Sequence, residues 1–278
     1  MLDCAKTGSA LIHPTAVISS DATIGDDSSI GPYSVIGAGV RIGNGNRIGP
    51  HVVIEGNTII GDSNQIYQFA SIGAAPQDLK YAGEASVLRI GNRNIIRECA
   101  TVQPGTAAGG GKTIVGDDNM LMACSHVAHD CHIGDRVRLT NAATLAGHIE
   151  IGDGAILSGL CAVHQFVRIG RLAFVSGGAM VTQDVPPFCV VQGDRARLVA
   201  LNLIGLQRAG IAQDEIASLR RAFRALFRGN GILAERLAAA AEHGARSTLV
   251  QELVDFVTGS ERGVVSARHA NPAGLAPA

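Results

Sequence analysis

The chain has 278 residues, of which 46% are hydrophobic and only 4% aromatic, with no tryptophan and 35 glycines. It has 23 basic and 24 acidic residues, so the formal net charge of −1 gives no general attraction to nucleic acid or to an anionic membrane. No apolar run reaches the roughly 18 residues of a membrane span, and the N-terminus lacks the pattern of a signal peptide. We therefore expect a cytoplasmic protein that neither binds nucleic acid nor inserts stably into membranes.

An aliphatic residue recurs at every sixth position along most of the chain. The period runs from Ile12 to Ile72, restarts over residues 90–102, and continues from Val115 to Val181, which gives 26 repeats. A period of six fits neither a helix nor a long alternating strand, but it fits short strands joined by tight turns. Three strands would complete a triangular coil of 18 residues. Residues 18 apart would then lie directly above one another.

The period breaks twice and then stops, which divides the chain into two domains. Residues 1–190 form the predicted repeat domain, with outward loops at about 74–88 and 103–113. Helical patterns follow over 191–262 and end near glycine. We expect a disordered tail over 263–278. The predicted fold is mainly β, with a small C-terminal α-helical domain that caps one end of the repeat.

Histidines concentrate in one stretch of the repeat domain, HVAHDCHIGDRVRLTNAATLAGH, which holds four of the nine. The 18-residue coil places His129, Gly147 and Gln165 in one column. In the neighbouring column it places Asp130 beneath His148. The stretch is therefore predicted to form a compact polar patch on one wall of the solenoid.

Several motifs outside the repeat occur in the order typical of one enzyme family. The hexapeptide period, QDLKYAGE, HVAHD, AGH, AVHQF and GLQRAG together resemble the UDP-N-acetylglucosamine 3-O-acyltransferases from about residue 10 to 260. The resemblance implies a left-handed parallel β-helix of hexapeptide repeats and a homotrimer with active sites between subunits. It also implies that a (R)-3-hydroxyacyl chain moves from acyl carrier protein to the glucosamine 3-position of UDP-N-acetylglucosamine. This is the first step of lipid A biosynthesis, and no cofactor is expected.

Acyl transfer from a thioester to a sugar hydroxyl needs a base for the hydroxyl proton and a donor for the developing oxyanion. His129 matches the catalytic histidine of the family, and the neighbouring Asp130 is suited to orienting its ring. Gly147 matches the oxyanion position, although the repeat alone would explain it as a corner glycine. Polar contacts to the substrate are predicted for His126, His148, His164 and Gln165.

The resemblance extends to residues that would hold the two ends of the substrates. In the first loop, Lys80 would contact phosphate or sugar oxygens, while Gln77 and Asp78 would meet the 3-hydroxyl region of the acyl chain. Asn202 and Arg208 match nucleotide-binding positions, and arginine is suited to a diphosphate.

The resemblance also assigns an acyl-chain ruler at Gly177. Glycine there predicts room for roughly 12 to 14 carbons, since each buried methylene contributes about 0.8 kcal/mol where space exists. Helical spacing further predicts a basic face, which is either a docking surface for the acidic carrier protein or a solvated face. Its members are Arg220, Arg221, Arg224 and Arg228.

Departures from the family pattern leave the acceptor open. Gln103 and Pro104 stand one coil below His129, where the family commonly has a histidine and a basic residue. Ile204 and Ala209 replace polar positions near the nucleotide. A sugar nucleotide with a 3-amino group, which would give an amide product, is therefore an alternative acceptor.

A zinc enzyme of the γ-class carbonic anhydrase type is a further alternative, because such solenoids also carry histidine ligands. The six cysteines form no CxxC pair, which indicates reduced thiols. Two members of the candidate ligand set lie around a corner from His129, so no metal is predicted. The set is Cys124, His126, His129, Cys131 and His132.

Overall fold

The computed structural model describes residues 9–243 and 247–267. Short strands succeed one another along the chain, and each of the first 26 ends on one of the periodic aliphatic residues. The strands of the first half are β1 (Leu11–Ile12), β2 (Val17–Ile18), β3 (Thr23–Ile24), β4 (Ser29–Ile30), β5 (Val35–Ile36), β6 (Arg41–Ile42), β7 (Arg47–Ile48), β8 (Val53–Ile54), β9 (Thr58–Ile60), β10 (Gln65–Ile66), β11 (Ser71–Ile72), β12 (Val87–Ile90), β13 (Ile95–Ile96) and β14 (Thr101–Val102).

The second half continues the same pattern and then turns helical, with a 3-10 turn at Ala107–Gly109. Its strands are β15 (Lys112–Val115), β16 (Met120–Leu121), β17 (His126–Val127), β18 (His132–Ile133), β19 (Arg138–Leu139), β20 (Thr144–Leu145), β21 (Glu150–Ile151), β22 (Ile156–Leu157), β23 (Ala162–Val163), β24 (Arg168–Ile169), β25 (Phe174–Val175), β26 (Met180–Val181), β27 (Cys189–Gln192) and β28 (Arg197–Leu201). Its helices are α1 (Leu203–Arg208), α2 (Gln213–Arg228), α3 (Leu233–Glu242) and α4 (Thr248–Thr258).

As far as β26, each strand pairs in parallel with the strand three places further along the chain, so the chain winds into a solenoid with three sheets of 11, 9 and 8 strands. Only β27 and β28 pair antiparallel among the described strands. The periodic aliphatic side chains point inward and are buried from Ile24 onward, while Ile12 and Ile18 in the first coil are partly buried. The predicted parallel β-solenoid of hexapeptide repeats, followed by a small helical domain, is therefore confirmed.

The chain leaves the coil twice, over residues 73–86 and 103–111, and rejoins it in register. Ile66 pairs with Ile96 across the first loop, and Val102 pairs with Val127 across the second. We call these segments the first and second outward loops. Because pairing resumes in the same sheet, both loops project from the solenoid without shifting the coils above them.

A column of buried asparagines marks the register at one corner. Asn46, Asn64, Asn94 and Asn119 are each at most 1% exposed. The Oδ1 of each of the first three accepts the backbone N–H of the next, at 2.9, 2.8 and 2.8 Å. The sequence separation within these pairs changes from 18 to 30 to 25 while the contact is kept. The column therefore favours the same stacking across both outward loops.

The C-terminal domain closes one end of the solenoid. Helices α2, α3 and α4 pack together, and Arg171 of the last coils donates to the Glu252 carboxylate of α4 at 2.7 Å. The chain then returns to the solenoid, where Val264 forms a bridge with Asp184 and Val265 is buried. The tail expected over 263–278 thus includes five residues, 263–267, that pack on the coil, and residues 268–278 lie outside the described residues.

None of the helices in residues 9–243 and 247–267 combines the length and hydropathy that a membrane crossing requires.

We predict that Asn64→Ala destabilises the protein by on the order of 2–4 kcal/mol, because it leaves buried partners unpaired. These partners are the backbone N–H of Asn94 and the carbonyl of Gly91. The measurement is denaturant unfolding, with Asn57→Ala as the control because that side chain is exposed on an outer turn. Equal midpoints for the two variants would contradict a stabilising role for the column.

Candidate active site

The carboxylate of Asp130 is the best-anchored side chain in the histidine-rich patch. Asp130 occupies a corner with φ of 59°, and its side chain is 1% exposed. Its backbone N–H donates to Thr113 Oγ1 at 2.8 Å. Thr106 of the second outward loop donates its backbone N–H to Oδ1 at 2.9 Å and its hydroxyl to Oδ2 at 2.7 Å. A buried carboxylate needs such donors to stay charged, so the loop supplies what the coil lacks.

His129 is held by that carboxylate. Its Nδ1 lies 2.8 Å from Asp130 Oδ2. A carboxylate only accepts, so this contact assigns the proton to Nδ1 and leaves the lone pair on Nε2 free. The imidazole is 12% exposed, which leaves it accessible from outside the coil. The arrangement is that of a general base with an orienting carboxylate.

Gly147 lies directly above the His129 ring. A Cβ at Gly147 would approach the ring to 2.5 Å at Cε1 and 2.7 Å at Nε2. Its φ does not lie in the left-handed region, so the close approach explains this glycine and a corner conformation does not. Within the described residues, its backbone N–H donates no hydrogen bond. The residue against the His129 ring therefore has a backbone N–H without a partner in the described part of the chain.

A second histidine and an aromatic ring continue the stack. His148 meets His129 edge-on with ring centroids 5.0 Å apart, and its Nε2 lies 3.9 Å from Asp130 Oδ2. The ring of Phe166 stacks on the ring of His148, with centroids 4.5 Å apart. Burial lowers the pKa of His148, and the charge of Asp130 acts in the opposite direction. The charge of Asp78 in the first outward loop also acts to raise the pKa of His148.

His126 lies three residues before His129 in the same coil, on β17. Its Nδ1 is 2.6 Å from Thr101 Oγ1. Burial, followed by the charge of His129, lowers the pKa of the His126 imidazole. His126 is therefore a half-buried ring whose neutral form is favoured, and its contact with substrate stays a prediction.

Gln103, one of the departures from the family pattern, anchors the first outward loop. Its side chain is buried, and its Oε1 accepts the backbone N–H of Gln77 at 3.2 Å while Nε2 donates to the carbonyl of Ala75 at 3.5 Å. Asp78 Oδ1 accepts the backbone N–H of Lys80 at 3.0 Å. Lys80 itself is exposed, so its ammonium group is presented to solvent by a loop that Gln103 ties to the coil.

The nucleotide-binding candidates differ in their surroundings. Asn202 begins α1, where its Oδ1 accepts the N–H of Gly205 at 2.9 Å and its Nδ2 donates to the carbonyl of Leu172 at 2.9 Å. Its amide is therefore already engaged within the chain, and its nucleotide contact stays a prediction. Arg208 is exposed in the last turn of the same helix.

The remaining candidates lie on the surface. His164 and Gln165 are exposed, one coil above Ala146 and Gly147. A Cβ at the exposed Gly177 would meet only the carbonyl of Gly159, at 3.4 Å, so there is open space at this position. The arginines of α2 are exposed along one helix, as helical spacing predicted; they are Arg220, Arg221 and Arg224.

The coil does not bring together the residues considered above as zinc ligands. Cys131 is buried, with its thiol 3.2 Å from the carbonyl of Ala146, and burial raises its pKa to about 12. His132 is exposed on β18, in a different sheet from β17. Within residues 9–243 and 247–267, the only acidic, histidine or cysteine group with ligand atoms close enough for a metal is His129, Asp130 and His148. It includes no cysteine, and Thr106 and His129 already occupy its carboxylate.

Sequence reasoning missed three residues that shape the site, Thr106, Phe166 and Arg262, and it missed the role of Gln103. Thr106 and the loop-anchoring role of Gln103 lie in segments where the period is broken, so no column assigns their partners. Arg262, which contacts His164 at 2.8 Å, comes from 98 residues further along the chain. Phe166 could have been found, because it lies 18 residues after His148.

A solenoid of hexapeptide repeats that carries a histidine–carboxylate pair, with a glycine against the histidine ring, is typical of the hexapeptide-repeat transferases. The family comparisons agree. Residues 9–38 match the family described as bacterial transferase hexapeptide (six repeats), and residues 184–265 match domain 2 of the UDP-N-acetylglucosamine O-acyltransferases.

Solved structures extend the match over nearly the whole chain. The UDP-N-acetylglucosamine acyltransferase of Francisella novicida is 39% identical with a TM-score of 0.90, covering 93% of this chain and 95% of that one. The enzyme of Campylobacter jejuni is 40% identical with a TM-score of 0.88, covering 92% and 100%. The O-acyltransferase of Moraxella catarrhalis is 42% identical with a TM-score of 0.89, covering 91% and 99%. The chain belongs to the UDP-N-acetylglucosamine acyltransferase family, and it is an O-acyltransferase.

We predict that Thr106→Val lowers kcat about tenfold, because a hydrogen bond to a charged group contributes about 1.5–3 kcal/mol and its loss lets Asp130 release His129. Valine keeps the volume, and the backbone N–H of residue 106 still reaches Oδ1. Acyl-transfer kinetics measure the effect, with Thr23→Val on an exposed strand as the control. An unchanged kcat in Thr106→Val would show that the hydroxyl is dispensable.

Proposed function

We propose that the enzyme moves a (R)-3-hydroxyacyl chain from acyl carrier protein to the glucosamine 3-hydroxyl of UDP-N-acetylglucosamine, the first step of lipid A biosynthesis. The observation that carries the proposal is the unpaired Nε2 on the His129 ring, which lies against Gly147, a glycine whose N–H donates no hydrogen bond within the described residues. It occurs in a chain that is 39–42% identical to three UDP-N-acetylglucosamine acyltransferases over more than nine-tenths of its length.

The proposed reaction is direct transfer by general-base catalysis. His129 Nε2 takes the proton of the 3-hydroxyl as its oxygen attacks the thioester carbonyl carbon. The resulting oxyanion accepts a hydrogen bond from the N–H of Gly147, a contribution that is typically about 3 kcal/mol. The intermediate then breaks its C–S bond, and the leaving thiolate receives the proton from the imidazolium. Asp130 stays ionised and stabilises that imidazolium.

The outward loops and the neighbouring coils supply the substrate contacts in this proposal. Lys80 is a free ammonium suited to phosphate or sugar oxygens, and Asp78 with Gln77 receives the 3-hydroxyl region of the acyl chain. Arg208 binds the diphosphate, while Asn202 supports the helix that carries it and reaches the nucleotide. Polar contacts to the acceptor come from His126, His148, His164 and Gln165.

The donor side of the proposal rests on two exposed features. The open space at Gly177 accommodates the end of a long acyl chain, and the basic face of α2 receives the acidic carrier protein. A single solenoid wall leaves the histidines partly exposed, and a homotrimer supplies the opposite wall of each cleft. The five described cysteines carry free thiols, which fits a cytoplasmic location.

A sugar nucleotide with a 3-amino group is the second candidate acceptor. Two observations support it: Gln103 is turned to the first outward loop, and Pro104 offers no polar side chain one coil below His129. Neither residue then contributes a polar group beneath the acceptor. An amine would use the same base and the same oxyanion donor.

Product analysis tests donor and acceptor together. Purified enzyme is given a mixture of (R)-3-hydroxyacyl carrier thioesters with UDP-N-acetylglucosamine or its 3-amino analogue, and products are identified by mass spectrometry. We expect an ester carrying one of the longer chains, and a loss of about 10²–10⁴ in kcat for His129→Ala. His132→Ala, an exposed histidine on another sheet, is the control and should keep full activity.

The other results are equally decisive. An amide as the main product would establish the second acceptor and overturn the first. Undiminished turnover in His129→Ala, or no product with either acceptor, would contradict the proposed reaction.

A further inference from the structure

The segment after α4 forms a strap across the last coil of the solenoid. We define the strap as residues 259–267. Ser260 Oγ donates to Asp184 Oδ2 at 2.8 Å, the N–H of Asp184 donates to the carbonyl of Gly263 at 3.0 Å, and the N–H of Val265 donates to the carbonyl of Asp184 at 2.9 Å. Both Asp184 and Val265 are buried. The strap is therefore fixed on both sides of Arg262.

Arg262 extends from the strap toward the histidine-rich wall. Its Nε donates to the carbonyl of Thr182 at 2.8 Å, which fixes the guanidinium plane, and its Nη2 lies 2.8 Å from Nδ1 of His164. A guanidinium has no acceptor, so Nδ1 must accept this hydrogen bond. The His164 ring then carries its proton on Nε2.

A second neighbour of the same nitrogen favours the opposite tautomer. Nδ1 of His164 is 3.1 Å from the carbonyl oxygen of Gln165, which would attract a proton on Nδ1. The two contacts cannot both be hydrogen bonds for one neutral ring. The shorter contact comes from a permanently charged donor, so Arg262 decides which ring nitrogen is protonated.

His164 lies where this choice affects the site. The next two residues along the chain continue over the candidate base: the N–H of Phe166 donates to the carbonyl of Gly147 at 3.2 Å, and its ring stacks on His148. His164 is an exposed residue, and its Nδ1 is taken by Arg262, so Nε2 is the ring nitrogen left to meet a bound molecule.

We propose that Arg262 is a positioning residue that holds His164 in the Nε2–H tautomer, so that His164 donates a hydrogen bond to an acceptor oxygen of the bound substrate. The substrate contact rests on the proposed function, whereas the contact between Arg262 and His164 does not. The rival explanation is that Arg262 acts only as part of the strap and stabilises the C-terminal end of the solenoid.

A double-mutant cycle separates these explanations through acyl-transfer kinetics. Arg262→Met should lower kcat/KM about tenfold, mainly through KM, because one hydrogen bond to substrate is lost. In a His164→Ala background the same change should have less than about a twofold further effect, since its target is gone. His164→Gln keeps a donor near the Nε2 position, so it should also make the protein insensitive to Arg262→Met.

Ser260→Ala is the matched control, because it removes one contact of the strap and leaves the guanidinium in place. It should lower Tm slightly and leave kcat/KM unchanged. An equal loss from Arg262→Met with and without His164, or the same loss from Ser260→Ala, would overturn the proposal in favour of the rival explanation.

The tautomer is read directly from ¹⁵N NMR of the protein labelled at histidine, with His164→Gln to assign the signals. The native protein should show an unprotonated Nδ1 at His164, and Arg262→Met should shift that signal toward the protonated form. An identical signal in both proteins would overturn the role of Arg262 whatever the activity. A shifted signal in a protein without acyl-transfer activity would support the role of Arg262 and remove the proposed substrate.

Discussion

In-register stacking of one coil on the next is the constraint on which the rest of the structure depends. Parallel strands separated by about 4.8 Å bring residues from consecutive coils into direct contact. This places Gly147 over the ring of His129, and it places Phe166, His148 and Asp130 in one corner column. A shift of a single residue would separate all of these contacts, because each one joins different coils.

The two outward loops add to this scaffold what a regular coil cannot provide. A coil wall offers few hydrogen-bond donors to a buried carboxylate, since its own N–H groups are used between coils. Thr106 supplies two donors to Asp130 from the second loop, and the buried Gln103 ties the first loop to the coil. The regular coil thus sets the spacing of the site residues, and the outward loops supply the hydrogen bonds that hold them.

How much could be predicted from the sequence follows from the same division. The six-residue period predicted the strands, the buried aliphatic axis and the columns that contain His129 and Gly147, because each is a consequence of periodic spacing alone. The partners of Asp130 and His164 could not be found in this way, since Thr106 lies in a loop and Arg262 arrives from the strap. Gly147 was open to explanation as a corner residue, and the position of the neighbouring His129 ring shows instead why a side chain is excluded there.

The central claim is that Nε2 of His129, held by Asp130, takes the proton of the acceptor. A crystal structure with bound UDP-N-acetylglucosamine tests it most directly, through the distance from Nε2 to the glucosamine 3-oxygen. We predict a separation of about 2.6–3.2 Å, with the N–H of Gly147 facing the position of the acyl carbonyl. A nucleotide sugar whose 3-oxygen lies far from His129, or a His129 ring turned away from it, would contradict the claim.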